Sequence, residues 1–337
     1  MATFALLVGR TSPSPAAGRF LALAKGGGSN NRKSCFACAP AFADAAKLRT
    51  SFASARFFCA SSDGQERESF VNVEDKGKVR WVTLNRPKTH NAFNEFVIQD
   101  ITKAFAQIEE QVNKGTAPCD MVVLTGEGPS FSAGADLNWM KKMINYTQEQ
   151  NEKDSYELFD MFHTIQSCPI PVIGRVNGSA LGGGSGLVSV CDFAFSVSTA
   201  QFGFTEVKLG LIPAVISPFV MEKIGKTHAS RYFLTGERFG AEEAKRIGLI
   251  SAYFESVEKL DEYLLETLLG KEMLNNSPVA MRSCKNLIRT VSQSYGTNPL
   301  GMKSDLASRI AKARVSESGQ EGVSAFLERR KPKWSNK

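Results

Sequence analysis

Two stretches of this chain have the residue types that aim main-chain N–H groups at a ligand. In the first, a β-like run at 121–125 leads through a loop at 126–130 into the small-residue turn Phe131-Ser132-Ala133-Gly134-Ala135-Asp136, with a helix expected from Leu137. In the second, a β-like run at 172–176 is followed by Asn177-Gly178, by Gly182-Gly183-Gly184, and by an apolar run at 187–190 that continues as a buried helix. Strand, glycine turn, helix is the order that leaves unpaired N–H groups over a helix start. Glycine is useful there because a Cβ would keep a ligand off the backbone. Asp136 suits the helix entrance, where its carboxylate can cap free N–H groups. Two such turns converging on one oxygen atom make an oxyanion hole, the device that stabilises an enolate or a tetrahedral adduct. Each turn taken alone reads equally as a plain structural turn.

Other chemistries find less support. His90, His163 and His228 are all the histidines, and none has a metal-ligand spacing. His163 falls on a mostly apolar helical face, the setting of a satisfied core histidine. Ser185 lies in GGGSG, which lacks both the GxSxG order and the histidine partner of a serine hydrolase. Cys35, Cys38 and Cys59 fall in the first 60 residues, the first two forming a single CxxC without a second pair, and Cys119, Cys168, Cys191 and Cys284 are scattered as reduced thiols are. No metal site is expected.

The elements that must hold the two turns are legible from periodicity. Runs at 70–73 and 79–84 flank a hairpin turn at 75–78, and Asn85-Arg86-Pro87-Lys88 breaks the pattern. A helix is expected from Asn91, since Phe93, Val97, Ile101, Ala104, Phe105, Ile108 and Val112 recur at three- and four-residue steps. Further helices are expected through 143 and over 147–166, the latter ended by Cys168-Pro169. After the glycine turn come a strand at 192–197 and a short extended piece at 202–204 that leads to Glu206. Helices at 217–224, 228–234, 241–247, 257–269, 278–294 and 320–330 complete the chain.

The chain has 337 residues, 42% hydrophobic and 22% charged, enough for one catalytic domain of about 260 residues with an N-terminal extension. No apolar run reaches the roughly 18 residues needed to span a bilayer, so membrane insertion is not expected. The formal charge of +7 resides in residues 1–60, which hold eight basic groups against one acid, Asp44. That leaves the body formally neutral, without a basic-aromatic stripe, which argues against nucleic acid as a partner. An Ala-, Ser-, Gly- and Arg-rich leader almost without acids reads as an organellar transit peptide over 1–60. The mitochondrial matrix is the first destination and a plastid the second.

SAGADL at 132–137, NGSALGGGSGL at 177–187 and FGFTEVKLGLIP at 202–213 resemble the enoyl-CoA hydratase/isomerase (crotonase) superfamily, from about residue 70 to the C-terminus. SAGADLNWMKKM and TEVKLGLIPAVISPFV are most similar to its methylglutaconyl-CoA hydratase branch, in leucine degradation. The resemblance implies an α/β fold, a crotonase-like spiral of β-β-α units over 61–265, with a C-terminal helical trimerisation region at 266–337. It also implies a homotrimer or homohexamer. The substrate would be an acyl-CoA, with coenzyme A part of that substrate and no separate cofactor. By matching positions, the oxyanion donors are Ala135 and Gly183 and the acid/base is Glu206. Lys88, Ala133, Ala135, Asp136, Leu137 and Phe326 fall where the family contacts the coenzyme. One departure stands out: Gly186 occupies the place where hydratases of this family have a second glutamate. A single carboxyl with a raised pKa can serve both proton steps of a hydration, and it also suffices for a Δ3,Δ2-enoyl-CoA isomerase. A methylglutaconyl group has a distal carboxylate that wants a cation, for which Lys141 and Lys142 are the nearest candidates in sequence. An RNA-binding protein is the alternative of a different class.

Overall fold

Residues 58–60, 66–294 and 299–336 are described by the structure, a computed structural model. Apart from residues 58–60, the expected leader lies outside the described residues, as do Cys35 and Cys38. The short strands β1 (Phe58–Ala60) and β2 (Glu66–Glu68) pair antiparallel. β3 (Val71–Lys76) and β4 (Val79–Leu84) form the expected hairpin, turning at Gly77 with φ 60°. α1 (Glu95–Asn113) starts later than the apolar stripe predicts. Asn94 is its cap, accepting from Val97 N–H at 3.0 Å. Asn91 is instead buried in the preceding loop, its amide donating to the carbonyls of Glu127 and Ser130.

From there the chain repeats one unit. β5 (Met121–Gly126), β6 (Ser130–Ser132) and the helices α2 (Leu137–Met143) and α3 (Gln148–Ser167) make one turn of a spiral. β7 (Val172–Val176), β8 (Ser179–Leu181) and α4 (Gly183–Val190) make the next. β9 (Phe193–Val197), β10 (Gln201–Gly203) and α5 (Ser217–Thr235) make the third. The break expected between residues 224 and 228 is a kink inside α5, where Gly225 has φ 73° and ψ 161°. β11 (Arg238–Gly240), α6 (Ala241–Arg246), β12 (Ala252–Phe254) and α7 (Val257–Glu262) follow, and a π-helix runs on over Tyr263–Met273. α8 (Pro278–Ser294), α9 (Lys303–Val315) and α10 (Glu317–Leu327) form the C-terminal part; α9 was not foreseen. Its apolar residues are interspersed with five charged ones and none of them is buried, so no core-facing stripe announces it.

The first strand of each unit joins a six-stranded sheet in the order β12-β9-β7-β5-β4-β3, parallel except for β3. The second strand joins a four-stranded sheet, β11-β10-β8-β6, in which β6, β8 and β10 are parallel. Met121, Leu124, Phe131, Val172, Ile173, Ala194 and Phe202 are fully buried and belong to one core cluster. The fold is therefore the mixed α/β spiral with C-terminal helices. No helix among the described residues is long and apolar enough to cross a membrane.

Candidate active site

Parallel neighbours end on the same side of a sheet, and that rule assembles the site. Ser132 and Ala180 are paired in β6 and β8, and Leu181 and Gly203 in β8 and β10. The residues just past these ends are Ala135, Gly183 and Glu206, so the three positions meet although the chain separates them.

Both turns present a spare donor. Phe93 N–H donates to Gly134 O at 2.7 Å, and Asp136 N–H to Phe93 O at 2.7 Å, a parallel bridge centred on Ala135. Strand alternation then sends the Ala135 N–H to the opposite side. Gly183 opens α4, so its N–H has no acceptor four residues back, while Gly182 N–H beside it is held by Gly203 O at 2.8 Å. The turns touch: a methyl group built on Gly134, which has φ +84°, would lie 2.7 Å from Leu181 O and 3.3 Å from Gly183 N. Only glycine allows that approach at that φ. The helix dipole adds its positive end at the same point. At the far end of α4, Lys223 Nζ donates to Cys191 O at 2.7 Å and to Asp192 O at 2.9 Å, anchoring the helix.

Glu206 stands against this pair of donors. A methyl group built on Gly182 would lie 3.3 Å from Glu206 Oε1. Its Oε2 is buried and has no hydrogen-bond partner among the described residues. Burial pushes the Glu206 carboxyl above its ordinary value, its own backbone N–H pulling it partly back. The arrangement can hold an oxyanion with two amides and exchange a proton with a carbon beside it.

The remaining expected site residues divide. Ala133, Ala135 and Leu137 are exposed, alternating with buried Ser132, Gly134 and Asp136, and so present one open row beside the donors. Lys88 is exposed in the turn Pro87–Thr89. The Asp136 side chain faces inward. Its Oδ1 caps α2, accepting from Asn138 N–H at 2.7 Å, and its Oδ2 pairs with Arg86 Nη2 at 2.8 Å. Burial raises its carboxyl, but the Asn138 N–H and the Arg86 guanidinium together outweigh this and hold it below its ordinary value. Phe326 is 81% exposed on α10, whose first turn lines a cavity together with Asp120 and Met121 at the start of β5. The donors follow the other ends of the strands, so α10 begins away from them. His163 is exposed and stacks on Phe159, one step off the buried stripe of Met161, Phe162 and Ile165. Ser185 Oγ is spent on Ala180 O at 2.6 Å and on Gly203 N–H at 3.2 Å. Lys142 is already paired with Glu95, at 2.7 Å.

Sequence reasoning missed Arg86, Phe162 and Ile216. A methyl group built on Gly186 would lie 2.6 Å from Ile216 Cγ2 and 3.1 Å from Phe162 Cε1 and Cζ. The volume beside Gly186 is therefore apolar and filled. No spacing rule links three residues so far apart, so no signal in the sequence could have found the contact.

The Arg86–Asp136 pair yields a stability prediction, because both side chains are largely buried, 16% and 7% exposed. Asp136→Ala removes the cap and strands a buried guanidinium, and is expected to cost about 3–5 kcal/mol, read from urea unfolding. Since the folded pKa is depressed, this contribution is present above the unfolded value, about 3.9, and is lost as pH falls through the folded one. A loss of less than about 1 kcal/mol would mean that the pair behaves as a solvated one.

With this geometry in place, the relatives of the chain can be compared. Residues 74–337 match the family model described as enoyl-CoA hydratase/isomerase. The chain is 31% identical to the 2,3-dehydroadipyl-CoA hydratase of Escherichia coli, over 77% of this chain and 96% of that protein. It is 33% identical, over 79% of this chain and 90% of the other, to a Dictyostelium discoideum protein with "enoyl-CoA hydratase, mitochondrial" in its name. A solved enoyl-CoA hydratase from Shewanella pealeana superposes with a TM-score of 0.72 at 36% identity, covering 79% of this chain and 96% of that one. The fold and the paired donor turns are those of the enoyl-CoA hydratase/isomerase, or crotonase, family, and this chain belongs to it. It is an enzyme of the enoyl-CoA hydratase type.

Proposed function

We propose that the chain hydrates 3-methylglutaconyl-CoA to 3-hydroxy-3-methylglutaryl-CoA, the reaction of leucine degradation. The observation that carries the reading is the half-buried Glu206, one carboxyl oxygen of which is buried and unpartnered among the described residues, beside the two donor turns. Ala135 and Gly183 N–H hold the thioester oxygen as negative charge develops on it, each contributing about 3 kcal/mol. Glu206, as the single acid/base, handles the proton at the α-carbon. The open row of Ala133, Ala135 and Leu137 takes the pantetheine arm, and Lys88 takes the phosphates as a point charge. Coenzyme A is part of the substrate, and no separate cofactor takes part.

A β-methyl group suits the Phe162–Ile216 wall, and TEVKLGLIPAVISPFV favours this branch. The Escherichia coli relative's name describes an acyl group with a second carboxyl, which supports a dicarboxylic substrate. Lys141 is the cation proposed for that carboxylate, Lys142 being shared with Glu95. Residues 61–265 form the catalytic core and 266–337 the part that builds a homotrimer or homohexamer. Exposed Val315, Val323, Phe326 and Leu327 support that assembly, in which Phe326 approaches a neighbouring copy's coenzyme. The acid-poor leader and the Dictyostelium relative's name support the mitochondrial matrix; a plastid is the other destination.

The test is a substrate series followed by loss of the conjugated thioester absorbance. kcat/KM for 3-methylglutaconyl-CoA is expected to exceed that for crotonyl-CoA by about tenfold or more, the discrimination a pocket methyl group commonly gives. The reverse order would remove the substrate assignment. Gain of absorbance from a 3-enoyl-CoA, with no hydration of either compound, would make the enzyme an isomerase.

A further inference from the structure

We infer that the water added by this enzyme is activated by the substrate's own distal carboxylate; the inference rests on the substrate reading proposed above. The argument starts from one face of α4. Gly182 and Gly186 are one helical turn apart on it, Gly186 N–H donating to Gly182 O at 3.1 Å. Beside Gly182 stands Glu206. Beside Gly186 stand Ile216 and Phe162, 3% and 0% exposed. Phe162 is braced in turn by Phe219 and Phe93, with ring centroids at 5.9 and 6.5 Å. This wall is apolar and packed, and it leaves no volume for a second acid on α4. Ser185, the polar side chain between the two glycines, is committed to Ala180 and Gly203.

Hydration moves two protons. One must arrive at the α-carbon and one must leave the attacking oxygen. Glu206 accounts for the first and, while it still holds that proton, cannot accept the second; the Ile216–Phe162 wall can accept nothing. A carboxylate on the γ-carbon lies one methylene from the β-carbon, so it can reach a water poised there. In the step, the water oxygen bonds to the β-carbon and its proton passes to the distal carboxylate. The double-bond electrons move onto the thioester oxygen, between the Ala135 and Gly183 amides. The enolate then collapses, and the α-carbon takes the proton of the Glu206 carboxyl. The distal carboxyl returns its proton to solvent and Glu206 takes one up, so the sum is substrate plus water.

The experiment compares 3-methylglutaconyl-CoA with its terminal carboxamide on the full-length enzyme, with kcat and KM measured separately. The carboxamide is expected to lose about 10²-fold or more in kcat, the contribution of a positioned general base, in addition to any rise in KM from losing the charge that Lys141 is proposed to meet. Placing a carboxylate on the helix while relieving the wall, Gly186→Glu with Ile216→Ala, is expected to narrow the gap in kcat by about tenfold. The wild-type comparison stands by itself if that double variant does not fold. A carboxamide kcat within about threefold of the acid, or a change confined to KM, overturns the inference and leaves the substrate reading intact. Faster turnover of crotonyl-CoA than of 3-methylglutaconyl-CoA overturns both.

Discussion

Replacing Glu206 with glutamine is expected to lower kcat about 10³-fold, within the range general acid–base catalysis supplies, with little change in KM. The amide keeps the size of the side chain but can neither give nor take the proton. Melting separates chemistry from folding. A carboxyl whose folded pKa is raised contributes stability at low pH and loses it as pH rises through the folded value. At neutral pH the glutamine variant is therefore expected to melt no lower than the wild type. The same shift sets the sign of the pH profile: hydration, which uses the protonated carboxyl, falls as pH rises through the folded value, and dehydration, which uses the carboxylate, rises. A glutamine variant within tenfold of wild-type kcat would exclude Glu206 from the proton transfer.

Gly183→Val is the second large effect. A methyl group at this position would lie 2.7 Å from Phe93 Cε2, so the start of α4 has to move, and the donor moves with it. Displacing one of two oxyanion donors is expected to reduce kcat by about 10²–10³, roughly 3–4 kcal/mol of transition-state stabilisation. Ala135→Ser keeps its main-chain donor on an exposed row and is expected to stay within about fivefold of wild type. Relieving the clash with Phe93→Leu tests this cause: melting temperature and kcat are expected to recover together in the double variant, because the amide returns with the helix start. Recovery of melting temperature without kcat would show that this clash is not what displaces the amide.

What could be read before the fold was known was local. Periodicity located α1, α3 and α8 to within a few residues, because an apolar stripe is a property of consecutive residues. The capping role of Asp136 was legible for the same reason, since a cap and the N–H it serves are neighbours in the chain. The partner of its other oxygen was not legible, because the half-buried Arg86 lies 50 positions earlier. The C-terminal α9 escaped because none of its side chains is buried, so it has no core-facing stripe to be read. The strands β6, β8 and β10 are three residues each, too short for alternation to register, although they aim the site.

By itself, the sequence determined that two turns of small residues could offer free amides, that a glutamate follows a third short strand, and that the place of a second acid is held by Gly186. Only the tertiary structure decided that these turns meet, that one oxygen of the Glu206 carboxyl is buried beside them, and that Ile216 and Phe162 fill the space next to Gly186. The division has a physical cause. Backbone conformation and capping depend on residues within a few positions of each other, whereas parallel pairing and burial depend on groups brought together from across the chain, and it is burial that turns an ordinary carboxylate into a proton donor.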